Sequence, residues 1–463
     1  MNDQLASKPL GRLLLKLAVP SIAAQIVTLL YTLVDRIYIG QMDNGVQAMA
    51  AIGLCVPVVS VVSALAGLFG RGGAPLASIA LGRDDHKQAE KILCVSFFYL
   101  TVVSLLFSAL VLLFLDPVLG LLGASQESLV FAESYLGIYA WGIVFAVLSV
   151  GLNFFINTQG YTSFGLMTTL FGAGLNILLD PVLIFVLDMG VAGAALATVL
   201  SQAASCIWVL SFFASKKTLL KIKLSNILPT FEITKKIVTL GASPFFMTST
   251  EGILTLSFNQ QLLRFGGVEA VSAMTILASM FQLLLLPMEG VAQGAQPIQS
   301  FNFGAGNFER VKKTIKLTIT VNLIWSVAGT LGILAFPQFF ISWFTKDAQL
   351  VSFTAPLLRI YILGCMVMGA NATYQQSYNS LGFGGMAFAF AFLRKIILLI
   401  PLIYILPACS FFPLSKVMLV ILAEPISDFL TTLTNTVFFW RFLKRKLEPK
   451  QASMASSAQM LAA

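Results

Sequence analysis

Nine ionisable side chains stand in stretches otherwise apolar enough to cross a membrane: Asp35, Arg71, Asp180, Glu251, Glu289, Arg394, Lys395, Glu424 and Asp428. A charge at mid-bilayer costs roughly 2.5–3.5 kcal/mol on insertion scales, so each asks for a function or a partner. The strongest pattern is GLNILLDPVLIF, where Asn176 precedes Asp180 by four residues and shares its helix face. Pro181 has no N–H for the carbonyl of Ile177. That carbonyl is left for a polar group or water. Thr198 in the next apolar stretch offers a hydroxyl, and Asp35 in YTLVDRIYIG a second carboxylate. Asp35, Asn176, Asp180 and Thr198 are therefore expected to form an acid–amide–hydroxyl cluster, the alternative being a purely structural hydrogen-bond network. The chemistry open to it is proton or cation exchange. His86, the one histidine, lies in a charged loop, so carboxylates must carry any proton inside the membrane. A carboxyl group buried in apolar surroundings keeps its proton to higher pH than in water, within reach of neutral pH.

The remaining charges read less specifically. Glu251, in MTSTEGILTL, and Glu289, ahead of GVAQGAQP, are candidates to line a substrate cleft. Met247, Met288 and Phe281 are nearby side chains that could make such a cleft adaptable, thioethers being flexible and polarizable. Arg394 and Lys395 are expected to neutralise Glu289, Glu424 or Asp428, the alternative being that they snorkel toward an interface. Glu424 and Asp428 are spaced i, i+4 around Pro425, and with Arg71 they read as structural.

The elements that carry these residues are transmembrane helices. The chain is 57% apolar and 11% charged, with a mean hydropathy of +0.88. Soluble domains average about 45–50% and about 25%. About twelve apolar segments are long enough to span a hydrocarbon core of roughly 30 Å as helices. None alternates as a barrel strand would. The first follows Lys8, Arg12 and Lys16 but is longer than a signal core, so a retained helix is expected. The net charge of +9 lies in clusters at Lys8–Lys16, Arg83–Lys91, Lys216–Lys236, Arg310–Lys316 and Arg441–Lys450. In a twelve-span topology these share one side, which the positive-inside rule makes cytoplasmic, with both termini there. The charge thus reports topology and excludes a nucleic-acid partner. Five scattered cysteines without a CxxC pair give no disulfide frame and no metal site.

The chain is also written twice. At one offset of 222 residues, GVQAMAAIG from Gly45 matches GVEAVSAMT from Gly267, and GGAPLASIALG from Gly72 matches GAQPIQSFNFG from Gly294. LGIYAWG around Tyr139 matches LRIYILG around Tyr361, and NTQG from Asn157 matches NSLG from Asn379. Six spans per copy is an even number, so the copies enter from the same side, as in parallel-repeat transporters. The expected fold class is an all-α polytopic membrane protein of about twelve helices in two six-helix lobes. The N-terminal lobe covers 1–215, a basic cytoplasmic linker 216–236, the C-terminal lobe 237–447 and a disordered tail 448–463. At the offset of Asp35 stands Ser257, and at that of Gly67 stands Glu289, so the copies carry different acidic arrangements.

The first-span Asp35 motif, GGAPLASIALGR, NTQG, LNILLDPVLIF and QGAQPIQSFNFGAGN occur in order over about residues 10–445. Together they resemble the multidrug and toxic compound extrusion (MATE) family, in its prokaryotic branch with acids in spans 1 and 5. The resemblance implies a twelve-helix, two-lobe, V-shaped antiporter that exports cationic lipophilic compounds in exchange for H⁺ or Na⁺ by alternating access. It implies ion coupling at Asp35, Asn176, Asp180 and Thr198, with Tyr139 beside them. Na⁺ is the alternative occupant of those four residues, and no resident metal or cofactor is implied. Glu251 matches the family's span-7 acid. MVMGANATYQQ lacks the span-10 acid of some Na⁺-coupled relatives, which counts against a C-terminal Na⁺ site. The implied location is the cell inner (plasma) membrane, with the bilayer and small cationic substrates as partners and a monomer expected. A flippase for a lipid-linked sugar or cell-wall precursor is the competing reading. An integral membrane scaffold or enzyme is the third, and it leaves the matched acids unexplained.

Overall fold

The computed structural model describes residues 2–122, 126–409 and 413–462, and side chains from Gln4 to Lys446 with short gaps. Every regular element among them is helical. A chain immersed in lipid has to satisfy its backbone internally, which a helix does within one segment. Eleven helical runs are long and apolar enough to span a membrane: α1 (Leu10–Gly40), α2 (Gly45–Gly82), α3 (His86–Leu113), α4 (Ser128–Thr158), α5 (Thr162–Val186), α6 (Gly190–Ala214), α7 (Phe231–Gly304), α8 (Phe308–Ala335), α9 (Ala348–Ser380), α10 (Gly384–Ala408) and α11 (Lys416–Lys446). α7 is two passes, because Gly267 breaks the helix with φ 65° and ψ −160°. The total is the expected twelve. Beyond Lys446 the backbone stays helical to Ala462, which differs from the disordered tail expected over 448–463.

The duplication is visible in the turns. Gly160 and Gly382, 222 residues apart, have φ of 86° and 87°, a left-handed conformation that glycine alone adopts without steric cost. They close NTQG and NSLG after α4 and α9. At the same offset, Asp85 accepts from the N–H of Gln88 (2.9 Å) to cap α3, and Asn307 accepts from the N–H of Arg310 (3.2 Å) to cap α8. Both caps satisfy N–H groups that the first turn of a helix leaves unbonded. α5 and α10 match end to end at this offset.

Two compact units result, and they do not end where the sequence copies end. The first comprises Met1–Lys8 and Val19–Ser249; the second comprises Pro9–Ala18 and Thr250–Ala463. In the first, the start of α7 packs on α2, where Gly241 lies against the carbonyl of Leu68 and Gly72 against that of Ile237. In the second, Gly294 lies against the backbone of Leu17 and Ala18. A methyl group at Gly241 would meet backbone rather than a movable side chain. We therefore expect Gly241→Val to destabilise the protein by about 1–3 kcal/mol, the usual cost of overpacking. This would be read as a lower Tm of the purified protein, and an unchanged Tm would show that the contact yields.

Candidate functional site

The first unit gathers the predicted cluster around α5. The Asn176 amide donates to Oδ1 of Asp180 at 3.2 Å, as the i, i+4 spacing implies. Asp180 is 0% exposed. After Pro181 the helix continues as one π turn, Val182–Val186, the form of disruption common at functional positions. Tyr38 near the end of α1 stands edge-on to Phe185 in that turn, 6.4 Å between centroids, which fixes the C-terminal part of α1 against α5. Asp35 is half-buried and Arg36 exposed. Asp35 and Asp180 lie within electrostatic reach of one another and of Tyr31.

Among the described residues, three buried oxygens here have no hydrogen-bond partner: Asp35 Oδ1, Asn176 Oδ1 and Asp180 Oδ2. All three are acceptors, and leaving such groups unsatisfied costs about 1–3 kcal/mol each. A proton, a small cation or water is what such a set demands. Next to it lies a cavity of about 220 Å³, walled in part by Tyr31, Tyr139, Asn176, Thr198, Gln202 and Ser205. α6 contributes a polar row to its wall, where Thr198, Ser201, Gln202 and Ser205 recur at helical spacing on one face. Ser149 of α4 donates to Gln202 at 3.0 Å, and Tyr139 stacks on Tyr135 at 5.9 Å.

Of the five residues expected to couple ions, Asn176, Thr198 and Tyr139 line the cavity, and Asp180 is bonded to Asn176. Thr198 departs from expectation in one respect. Its hydroxyl donates to the carbonyl of Ala194 in its own helix (3.0 Å), and its place is in the wall. Tyr31, Gln202, Ser201 and Ser205 were not singled out from sequence. The polar i, i+3, i+4, i+7 row in α6 was the signal available for three of them.

The second unit holds a different constellation. Leu393–Leu399 in α10 form a second π segment, which carries Arg394 and Lys395. Arg394 Nε donates to Asp428 Oδ1 at 2.7 Å and Nη2 to Glu424 Oε1 at 2.8 Å. Lys395 Nζ donates to Glu251 Oε1 at 2.5 Å. Arg394 thus neutralises Glu424 and Asp428, as expected, while Lys395 also takes Glu251. Met288 and Phe281 sit in the apolar core of this unit, as packing rather than as an open lining in this conformation. Met247 and Glu289 are half-buried. Arg71 is exposed, with its guanidinium 5.0 Å from the centre of the Phe154 ring. Four cysteines are buried and Cys409 is exposed. Among the described residues no three His, Cys, Asp or Glu side chains are grouped to hold a metal ion.

Known proteins resemble the chain over nearly its whole length. The MatE family model matches twice, over residues 20–182 and 245–405. The multidrug export protein MepA of Staphylococcus haemolyticus is 27% identical over 439 residues, covering 94% of each chain. A crystal structure of MATE in the bent conformation superposes with a TM-score of 0.90 at 21% identity, covering 97% of this chain and 99% of that one. A transporter from Pyrococcus furiosus superposes with a TM-score of 0.86 at 22% identity, covering 95% and 98%. For that protein, of the MOP superfamily, a reversed polarity of the binding pocket suggests a different function. At these identities the two structures share the fold with this chain.

Proposed function

Because the chain belongs to the MatE family, we propose that it is a secondary active multidrug efflux transporter of the cell membrane. It exports lipophilic cations by antiport with H⁺ or Na⁺, through alternating access, with both termini in the cytoplasm. The observation that carries this reading is the set of three buried acceptors, Asp35 Oδ1, Asn176 Oδ1 and Asp180 Oδ2, with no donor among the described side chains.

The chemistry follows from charge. With both acids ionised, the cluster attracts a cation from the inside. Protonation of the cluster, or Na⁺ binding, from the outside removes that attraction, and the exported cation leaves. A ligand shifts a conformational equilibrium only through different affinity for its two states, and neutralising Asp35 and Asp180 supplies such a difference. One proton entering for one monovalent cation leaving moves no net charge, so that exchange is driven by the pH gradient. Asn176 orients Asp180, and the hydroxyls of α6 provide a wall along which water or a substrate can be hydrogen-bonded.

The flippase alternative requires an anionic lipid-linked substrate, which calls for cationic groups. Among the described residues, the cavity wall contains no lysine or arginine. Purified protein in liposomes should show proton flux that a lipophilic cation such as ethidium stimulates. Repeating the measurement with and without Na⁺ assigns the coupling ion. Vesicles in which ethidium stimulates neither proton nor Na⁺ flux would overturn the antiport reading.

A further inference from the structure

The 222-residue offset places Arg394 and Lys395 at the positions of Gly172 and Ala173, both of which line the cavity of the first unit. The helix contact is kept. Ser427 Oγ donates to the carbonyl of Arg394 at 2.9 Å, and its counterpart Ser205 is the side chain nearest to Gly172. Glu424 likewise stands where the first unit has Gln202, and Met288 where it has Ala66. The second unit has thus filled with its own cations and larger side chains the positions that are open in the first.

The filling is electrically unequal. Glu251, Arg394, Lys395, Glu424 and Asp428 interact as one array, with three acids to two bases. Arg394 is shared between two carboxylates, and Asp428 Oδ2, buried, has no partner among the described residues. Lys395 lies 1% exposed beneath its partner, whereas Glu251 is 66% exposed. Glu251 is roughly 24 Å along its helix from Gly267, at about 1.5 Å per residue. Well inside a membrane pass an exposed carboxylate is strongly disfavoured against lipid, so a bound cation at Glu251 would be favoured there.

We propose that Lys395 is a tethered counter-cation. Its ammonium occupies Glu251 when no substrate is bound, and an entering lipophilic cation displaces it from that carboxylate. The released Lys395 turns to Glu424, which is already within its electrostatic reach and shares its only guanidinium with Asp428. The bound cation brings the array to three acids and three cations, and the exchange sets a threshold that weakly held cations do not pass. The inference rests on the export reading above and adds to it the residue that selects among cations in the second unit.

Equilibrium binding of tetraphenylphosphonium to the purified full-length protein tests it. A tether that holds Glu251 for about nine-tenths of the time raises the apparent Kd about tenfold. Lys395→Met should therefore bind about tenfold more tightly than the natural protein, and Glu251→Gln more weakly. In the Glu251→Gln background, Lys395→Met should change nothing. Should Lys395→Met not purify as a monodisperse protein, Lys395→Gln with Glu424→Gln keeps the net charge of the array and carries the same expectation against Glu424→Gln alone. Unchanged or weaker binding on loss of the lysine, or tightening that persists without Glu251, overturns the tether and leaves the export reading standing. Failure of the natural protein to bind the cation at all overturns the export reading, and the tether with it.

Discussion

Replacing Asp35 by asparagine should lower pH-gradient-driven uptake of ethidium into inverted vesicles, which reads export, by about 10- to 100-fold, the range of coupling between two ligands in one protein. It should also weaken the pH dependence of what efflux remains, with Asp180 as the one acid left to titrate. The substitution is nearly isosteric at a half-buried residue, so the fold has little to lose. What disappears is the ability to be charged in one state and neutral in the other. An amide presents the same face to the substrate whatever the proton concentration, and a ligand with equal affinity for both states shifts nothing. Asp180→Asn should behave similarly, because Asp180 is the other titratable member of the cluster and is held by Asn176 at 3.2 Å. Efflux with full rate and an unaltered pH profile in Asp35→Asn would remove Asp35 from the coupling site.

The parts of this site that could be read from the sequence are the local ones. The Asn176–Asp180 pair follows from helical periodicity alone, and the break at Pro181 from the missing N–H. The duplication was legible because turn glycines such as Gly160 and Gly382 answer to backbone conformation and not to tertiary partners. Thr198 shows where this reasoning stops. A threonine in a helix can satisfy its hydroxyl on the carbonyl four residues back, and here it does so at Ala194. Its spacing from Asp180 said nothing about that choice.

The second unit was less legible for the same reason. Arg394 and Lys395 are adjacent, and three acids were plausible partners in sequence. Only the meeting of α7, α10 and α11 assigns Arg394 to Glu424 and Asp428, and Lys395 to Glu251. The unit boundaries were equally hidden. Gly72, Gly241 and Gly294 were visible as glycines, but nothing local tells that Pro9–Ala18 packs with the second unit and residues up to Ser249 with the first.

Substituting Arg394 by leucine should be the most damaging single change in the second unit, with an expected cost of about 3–5 kcal/mol. Arg394 is 5% exposed, and its guanidinium donates to two carboxylates at 2.7 and 2.8 Å. Without it, Glu424 and Asp428 stand one helical turn apart with no shared cation, Asp428 0% and Glu424 7% exposed. The cost therefore lies in the stranded acids more than in the lost hydrogen bonds. That distinction can be measured. Arg394→Leu should show a strongly lowered Tm and a low yield of monodisperse protein. The triple variant Arg394→Leu with Glu424→Leu and Asp428→Leu should recover most of the loss, since replacing a whole buried ionic group by apolar side chains is often neutral. Arg394→Lys should fall between them, because a lysine is a point charge and cannot fork to two carboxylates as arginine does. A single leucine variant as stable as the natural protein would mean that Glu424 and Asp428 find other donors, and that Arg394 does not hold α10 to α11 through charge.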